Sequence, residues 1–216
     1  METRTIAIGD IHGCAAALSG LIAAIDVQHT DTLVVLGDVI DRGDQSRESV
    51  ELLIELQDRC RIVLILGNHE KMLLDVWQRD HSDGLWLACG GDTTVLSYAG
   101  SLDNVPQSHR QFLESAQMFY QNDSHFFIHA NYVADLPLES QPVSVAIWEH
   151  LSRLVPPPHQ SGKCAVVGHT PQKTGEILNL GHLICLDTYC VGGKWLSALD
   201  IGTSQLWQAD CQGNIR

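Results

Sequence analysis

Asp10 and His12 stand two positions apart in GDIHG (9–13), and Asp38, Asp41 and Arg42 crowd into GDVIDRG (37–43). Residues two apart in extended chain project to one side. Asp10 and His12 can therefore offer a carboxylate oxygen and an imidazole nitrogen to a single cation. The two oxygens of Asp38 can serve one cation each. GNHE (67–70) adds the neutral carbonyl of Asn68 and the imidazole of His69, while FFIHAN and VVGHTP supply His129 and His169. Taken singly, each has a bland reading: a surface Asp41–Arg42 pair is worth little, Asn68 suits a helix cap, and a lone histidine after a strand is usually a core residue. Together they make three carboxylates, four histidines and an asparagine. That mixture of nitrogen and oxygen donors suits manganese, iron or zinc rather than calcium.

The elements that must position these groups are legible in five short apolar runs: TIAIGD (5–10), LVVLGD (33–38), VLILGN (63–68), FFIHA (126–130) and AVVGH (165–169). None alternates with polar residues, which suits strands buried on both faces. Four end in glycine and then a metal-capable side chain; the fourth passes straight to histidine. Residues 15–26, 46–58 and 107–120 carry apolar positions at helical spacing, with Ser46 as an expected N-cap. Strands alternating with helices predict an α/β fold with a largely parallel sheet. In such sheets functional groups collect beyond the carboxyl ends of the strands, where all five runs place theirs. LICLDTYC, KWLSALDIG and SQLWQAD read as short strands of an antiparallel second sheet, and the prolines at 156–158 as a stiff loop.

The bulk properties narrow the function. A chain of 216 residues, 44% apolar, is large enough for one domain with its own core, expected over 1–216. Its formal charge of −13 disfavours nucleic acid and anionic membranes as partners. No apolar run approaches the roughly 20 residues of a membrane span, and METRTIAIGD leads directly into a strand; a cytoplasmic location is expected. The seven cysteines form no C-x-x-C and sit in apolar surroundings, as reduced structural thiols do. None has an arginine six positions on, which excludes the cysteine-phosphatase motif. SGK at 161–163 fails as a nucleotide loop because Pro157 occupies the position that needs glycine.

The order GDIHG, GDVIDRG, GNHE, HA, GHT resembles the calcineurin-like metallophosphoesterases, and in particular the compact bacterial and phage form of their phosphoprotein-phosphatase branch. The likeness runs from residue 9 to about residue 200, through GGDTTVLSYAG (90–100) and LDTYCVGGKWLSALD (186–200). It implies an αββα sandwich, two packed mixed sheets flanked by helices. It also implies two divalent ions, manganese foremost: Asp10, His12 and Asp38 would hold the first, with Asp38 bridging to a second completed by Asn68, His129 and His169. His69 would be the general acid, oriented by Asp41, and Arg42 would bind a phosphate oxygen. Such a pair of ions activates water and clamps phosphoryl oxygens for in-line attack.

The leading expectation is a Ser/Thr protein phosphatase acting on a phosphorylated protein or small phosphoester. The alternative is a symmetrical bis(5′-nucleosyl)-tetraphosphatase. A phosphodiesterase is disfavoured because the last motif reads GHTP and not GHTH, and a non-catalytic relative would have lost a ligand. Relatives often carry W-x-R where this chain reads IWEH, so His150 is expected to join Arg42 and Asn68 at the phosphate, with Arg153 as its rival. His159 and Lys163 are placed at the cleft edge. Trp86, Trp148, Trp195 and Trp207 are read as packing, and Gly90, Gly91 and Tyr98 are given no catalytic role.

Overall fold

The computed structural model describes residues 3–78 and 82–216. The first half builds β1 (Thr5–Ile8), α1 (Ala15–Ile25), β2 (Thr32–Val35), α2 (Ser46–Leu56), β3 (Arg61–Leu64) and α3 (Asn68–Trp77). A helical cap follows, with α4 (Gly84–Trp86), α5 (Asp92–Ser97) and α6 (Gln107–Glu114). The second half contains β4 (Phe119–Gln121), β5 (His125–Ile128), the short α7 (Val143–Ala146), β6 (Cys164–Val167), β7 (Leu178–Asn179) and β8 (Leu183–Cys185), then β9 (Leu196–Asp200) and β10 (Leu206–Ala209).

Two mixed five-stranded sheets result, ordered β10-β9-β1-β2-β3 and β4-β5-β6-β8-β7. Their packing explains why the strands are apolar throughout. Ala7, Val34, Val63, Phe127 and Val166 point between the sheets. Their neighbours Ile6, Ile8, Leu33, Val35 and Leu64 face outward under α1 and α2. Phe126, Ile128, Ala165 and Val167 face outward beneath α7 and its loops. With both faces covered, each fully buried Val, Leu or Ile contributes about 1.5–3 kcal/mol. Among the described residues no helix is long and apolar enough to cross a membrane.

Three expectations are corrected. The helix predicted over 107–120 stops at Glu114, because Gln117 exchanges backbone hydrogen bonds with Leu64 and Leu66 and draws the chain into β4. The C-terminal strands do not form a sheet of their own. β8 pairs parallel to β6 in the second sheet, whereas β9 returns antiparallel to β1, and β10 antiparallel to β9, to complete the first. Ser46 is the first residue of α2 and not its cap; its hydroxyl accepts the Asp41 N–H. In the first two cases long-range pairing overrode the local signal; in the third the Asp41 turn claims the hydroxyl.

β1, β2 and β3 run parallel, as do β5, β6 and β8. The five motif residues that end these strands therefore leave from carboxyl ends. Gly37 makes the sharpest exit possible: it lies at φ 96°, and a Cβ there would stand 2.7 Å from the Gly67 nitrogen.

Candidate metal centre

His12 (φ 45°), Asp38 (49°), Asp41 (73°), Arg42 (70°) and His169 (63°) all lie in the left-handed region. Each such non-glycine conformation costs of order 1–3 kcal/mol, and this kind of strain collects at functional sites. It is endured here because the side chains so aimed meet one another.

Asp38 is the hub. Its Oδ2 lies 3.5 Å from His12 Nε2 and its Oδ1 lies 3.4 Å from His129 Nε2. It is shared by two groups whose donor atoms all lie within 4.8 Å of each other, His12–Asp38–His69 and Asp38–His129–His169. Burial opposes its charge, but the imidazoles of His129 and His69 outweigh burial and hold its carboxyl well below the usual range. The His69 N–H, in the first turn of α3, donates to Oδ1 at 3.2 Å, the favourable end of a helix for an anion.

Three of the imidazoles are oriented alike. His12 Nδ1 bonds the Ile40 carbonyl (3.0 Å), His129 Nδ1 the Leu36 carbonyl (2.7 Å) and His169 Nε2 the Trp148 carbonyl (3.2 Å). Tying one ring nitrogen to a carbonyl fixes the tautomer and turns the other lone pair inward, as metal-ligating histidines require. The free nitrogens of His129 and His169 meet Asn68 Oδ1 at 3.1 and 3.0 Å. With its Nε2–H given to the Trp148 carbonyl, His169 turns a lone pair at Nδ1 onto the Asn68 oxygen, an arrangement that a cation relieves. Burial drives the pKa of His12 and of His169 down to about 3. His129 is different: burial works against its charge, but Asp38 overcomes this and lifts it to about 10. Asp10 is pushed well above the carboxylate range by burial and by neighbouring Asp187. The donor set fits a divalent pair.

Beside this cluster His69 Nδ1–H donates to Asp41 Oδ2 at 2.7 Å, both groups fully buried. The same oxygen accepts Trp86 Nε1–H at 2.8 Å, and Oδ1 accepts the Thr94 hydroxyl at 2.6 Å. Burial opposes charge on His69, yet Asp38 and Asp41 raise its pKa. Its Nε2 is the buried polar atom left without a partner among the described residues. A protonated imidazole held in this way would have one uncommitted N–H to offer an acceptor.

The calcineurin-like phosphoesterase family model matches residues 3–197. The chain belongs to that family. The symmetrical bis(5′-nucleosyl)-tetraphosphatase of Neisseria gonorrhoeae is 44% identical over 71 residues, 32% of this chain and 25% of that relative. The corresponding enzyme of Nitrosomonas europaea is 30% identical over 140 residues, 62% of this chain and 47% of its own length. Serine/threonine-protein phosphatase 2 of Salmonella typhimurium is 35% identical over 85 residues, 39% of this chain and 37% of that protein. The chain thus spans under half the length of the curated relatives it matches. In fold it is similar to the crystal structure of a candidate diadenosine tetraphosphatase, with a TM-score of 0.72 at 23% identity over 95% of this chain and 92% of that one.

In this member of the calcineurin-like phosphoesterases, the residues that the resemblance singled out converge. The His69 imidazole stands beside His12 and Asp38, within 4.8 Å of their donor atoms, and both oxygens of Asp10 accept the His169 N–H at 3.2 and 3.0 Å. Arg42 does not pair with Asp41 on the surface; its Nη1 approaches His12 Nε2 at 2.8 Å. His150 is half-buried and packs its ring 4.3 Å from that of His169. Arg153 is exposed, 3.9 Å from Glu149. His159 is buried against Phe126 and bonds the Leu136 carbonyl and Ser161, and Lys163 bonds Gln121, so neither is brought to the metal cluster.

Three positioning residues escaped the sequence reading. Glu70 accepts the N–H groups of Asp38 (2.7 Å), Val39 (2.8 Å) and Gly67 (3.2 Å), which pins the strained Asp38 turn. Its place as the third residue of α3 is a capping-box position and could have signalled this. Burial, then Asp38, raises its pKa to about 7. Trp86 and Thr94 hold Asp41 from the cap, 45 and 53 residues away in sequence; no local signal announces them.

Proposed function

We propose that the chain, acting as one metallophosphoesterase unit, is a metal-dependent phosphoric ester hydrolase that splits dinucleoside tetraphosphates symmetrically. The observation that carries the hydrolase reading is Asp38 standing between two imidazole groups, beside a buried His69–Asp41 pair with a free Nε2. The curated relatives favour the tetraphosphate over a phosphoprotein as substrate.

Asp10, His12, Asp38, Asn68, His129 and His169 would hold two divalent ions, manganese first, with iron or zinc possible. When bound there, such ions supply Lewis-acid polarisation and a water-derived nucleophile at neutral pH. Arg42 offers a planar fork to a phosphoryl oxygen, and Asn68 and His150 flank the same oxygens. His69 gives the proton at Nε2 to the departing bridge oxygen, while Asp41 stabilises the imidazolium. Water adds to one of the two central phosphorus atoms, the central anhydride bond breaks, and two nucleoside diphosphates leave. The unpaired cysteines agree with a reducing compartment, for which we propose the cytoplasm.

A second reading, Ser/Thr protein phosphatase, is favoured by one feature. An apolar groove of about 680 Å³ lined by Tyr132, Val145, Leu154, Pro156 and Pro157 runs beside Glu149, next to His150, and could seat a polypeptide. The deciding experiment compares kcat/KM of the manganese-loaded protein on diadenosine tetraphosphate and on a phosphoserine peptide, with product analysis. Higher efficiency on the tetraphosphate with ADP as the sole product is expected. ATP plus AMP, or a preference for the peptide, overturns the proposal.

A further inference from the structure

Beyond β8 the chain enters a tight turn over 189–194, and at its head stands a strained aromatic residue. Tyr189 lies at φ 64°, a conformation that a bulky L-residue enters only where the surroundings enforce it. Its carbonyl accepts N–H groups from Gly192 and Lys194, each at 3.1 Å. Gly192 is required because a Cβ there would stand 2.0 Å from the tyrosine ring. The ring is thus pinned from its own turn.

Two polar groups are left uncommitted by this packing. The Lys173 ammonium lies 6.0 Å from the Tyr189 ring centroid. It is exposed, and the carboxylates that pair with lysine and arginine are found at Arg4, Lys71, Arg110, Arg153 and Arg216 instead. Among the described residues the Tyr189 hydroxyl has no hydrogen-bond partner either. Lys173 thus keeps its ammonium free in a chain of net charge −13, over a ring whose hydroxyl is also uncommitted.

The pair is fastened to the metal edge. The Asp187 carboxylate accepts the Tyr189 N–H (3.1 Å) and its carbonyl accepts the Gln172 N–H (2.7 Å). Gln172 follows His169 by three residues, and the His169 N–H bonds Asp10. From the same turn, Val191 lines a cleft of about 310 Å³ together with Arg42. Tyr189 follows Asp187 by two residues and Lys173 follows His169 by four, so both lie on the segments that leave the strand ends carrying the candidate metal site.

We infer that Lys173 and Tyr189 form a second anion subsite, which takes the phosphates of a polyphosphate substrate lying beyond the one under attack. This rests on the polyphosphate reading above and extends it to two residues outside the family motifs. An ammonium and a phenolic O–H both donate to phosphate oxygens, and neither touches the reacting phosphorus. Their effect therefore appears in binding and not in turnover.

The test uses the manganese-loaded protein, p-nitrophenyl phosphate as reporter, and orthophosphate and tripolyphosphate as inhibitors at fixed free manganese. Lys173→Ala is expected to weaken tripolyphosphate inhibition about fivefold, the size of one exposed charge contact. Orthophosphate inhibition and kcat on the reporter stay unchanged. Tyr189→Phe weakens tripolyphosphate less, and Lys173→Arg restores most of the effect. Unchanged tripolyphosphate inhibition in Lys173→Ala, or equal weakening for both anions, overturns the subsite. A wild-type protein that leaves diadenosine tetraphosphate intact defeats the proposed substrate, while the tripolyphosphate comparison still decides the subsite.

Discussion

The two shoulders of the candidate site are built in opposite ways. On the shoulder of the first sheet, Asp41 is fully buried and accepts from His69, Trp86 and Thr94, while Glu70 clamps the turn at Asp38. On the shoulder of the second sheet, His150 touches His169 only through its ring, and Trp148, Leu154 and Val155 are 40%, 56% and 48% exposed. Groups whose position decides the chemistry are over-determined by buried hydrogen bonds. Groups that would decide which substrate is accepted sit where they can change at little cost to stability.

That contrast can be broken at several points. The largest effect is expected from Asp38→Asn, which should lose bound metal and about 10³-fold in turnover together, read by metal analysis and steady-state assay. His69→Asn should retain metal and lose about 10²–10⁴-fold on a phosphoserine peptide, whose alkoxide leaving group needs a proton. Its loss on diadenosine tetraphosphate should be smaller, because a diphosphate leaves more readily as an anion. Equal metal loss in both variants would collapse the separation between hub and acid.

Thr94→Val should lower kcat about tenfold with KM nearly unchanged, the usual scale for a residue that orients another. The sign of the accompanying pH effect follows from His69: carboxylates raise its folded pKa, so activity requiring the imidazolium fades as pH rises through that value. Asp41→Asn should therefore move the alkaline limb of kcat to lower pH. The smallest effect belongs to the looser shoulder, where His150→Arg should lower KM a few-fold and leave thermal stability within about 0.5 kcal/mol. A drop in kcat there, with KM untouched, would show that the loose shoulder also positions chemistry.

Much of the site was readable because its residues follow strands directly. An apolar run that ends in glycine and then a carboxylate or histidine states both where the chain leaves the sheet and what it carries. Asp10, Asp38, Asn68, His129 and His169 were legible for that reason. The His69–Asp41 bond required the further step that two such ends meet. Trp86 and Thr94 could not be found this way, since a tryptophan in a helical cap looks like any packing residue until its N–H is seen to reach Asp41. The edge strand β4 was missed for a related reason: the local spacing favoured helix, and the bonds of Gln117 to Leu64 and Leu66 that turn the chain into β4 are remote in sequence.

From the sequence alone came the strands, the order of the motifs, the kind of ion their donors suit and the family they resemble, because these depend on residue type and short spacing. Tertiary structure alone decided that β9 and β10 close the first sheet, that the His69–Asp41 pair is buried beside His12 and Asp38, and that Arg42 turns toward His12 and away from Asp41. It also decided that Lys173 comes to rest beside Tyr189. Contacts of this kind bring together residues tens of positions apart, and their energies exist only once the two sheets have packed.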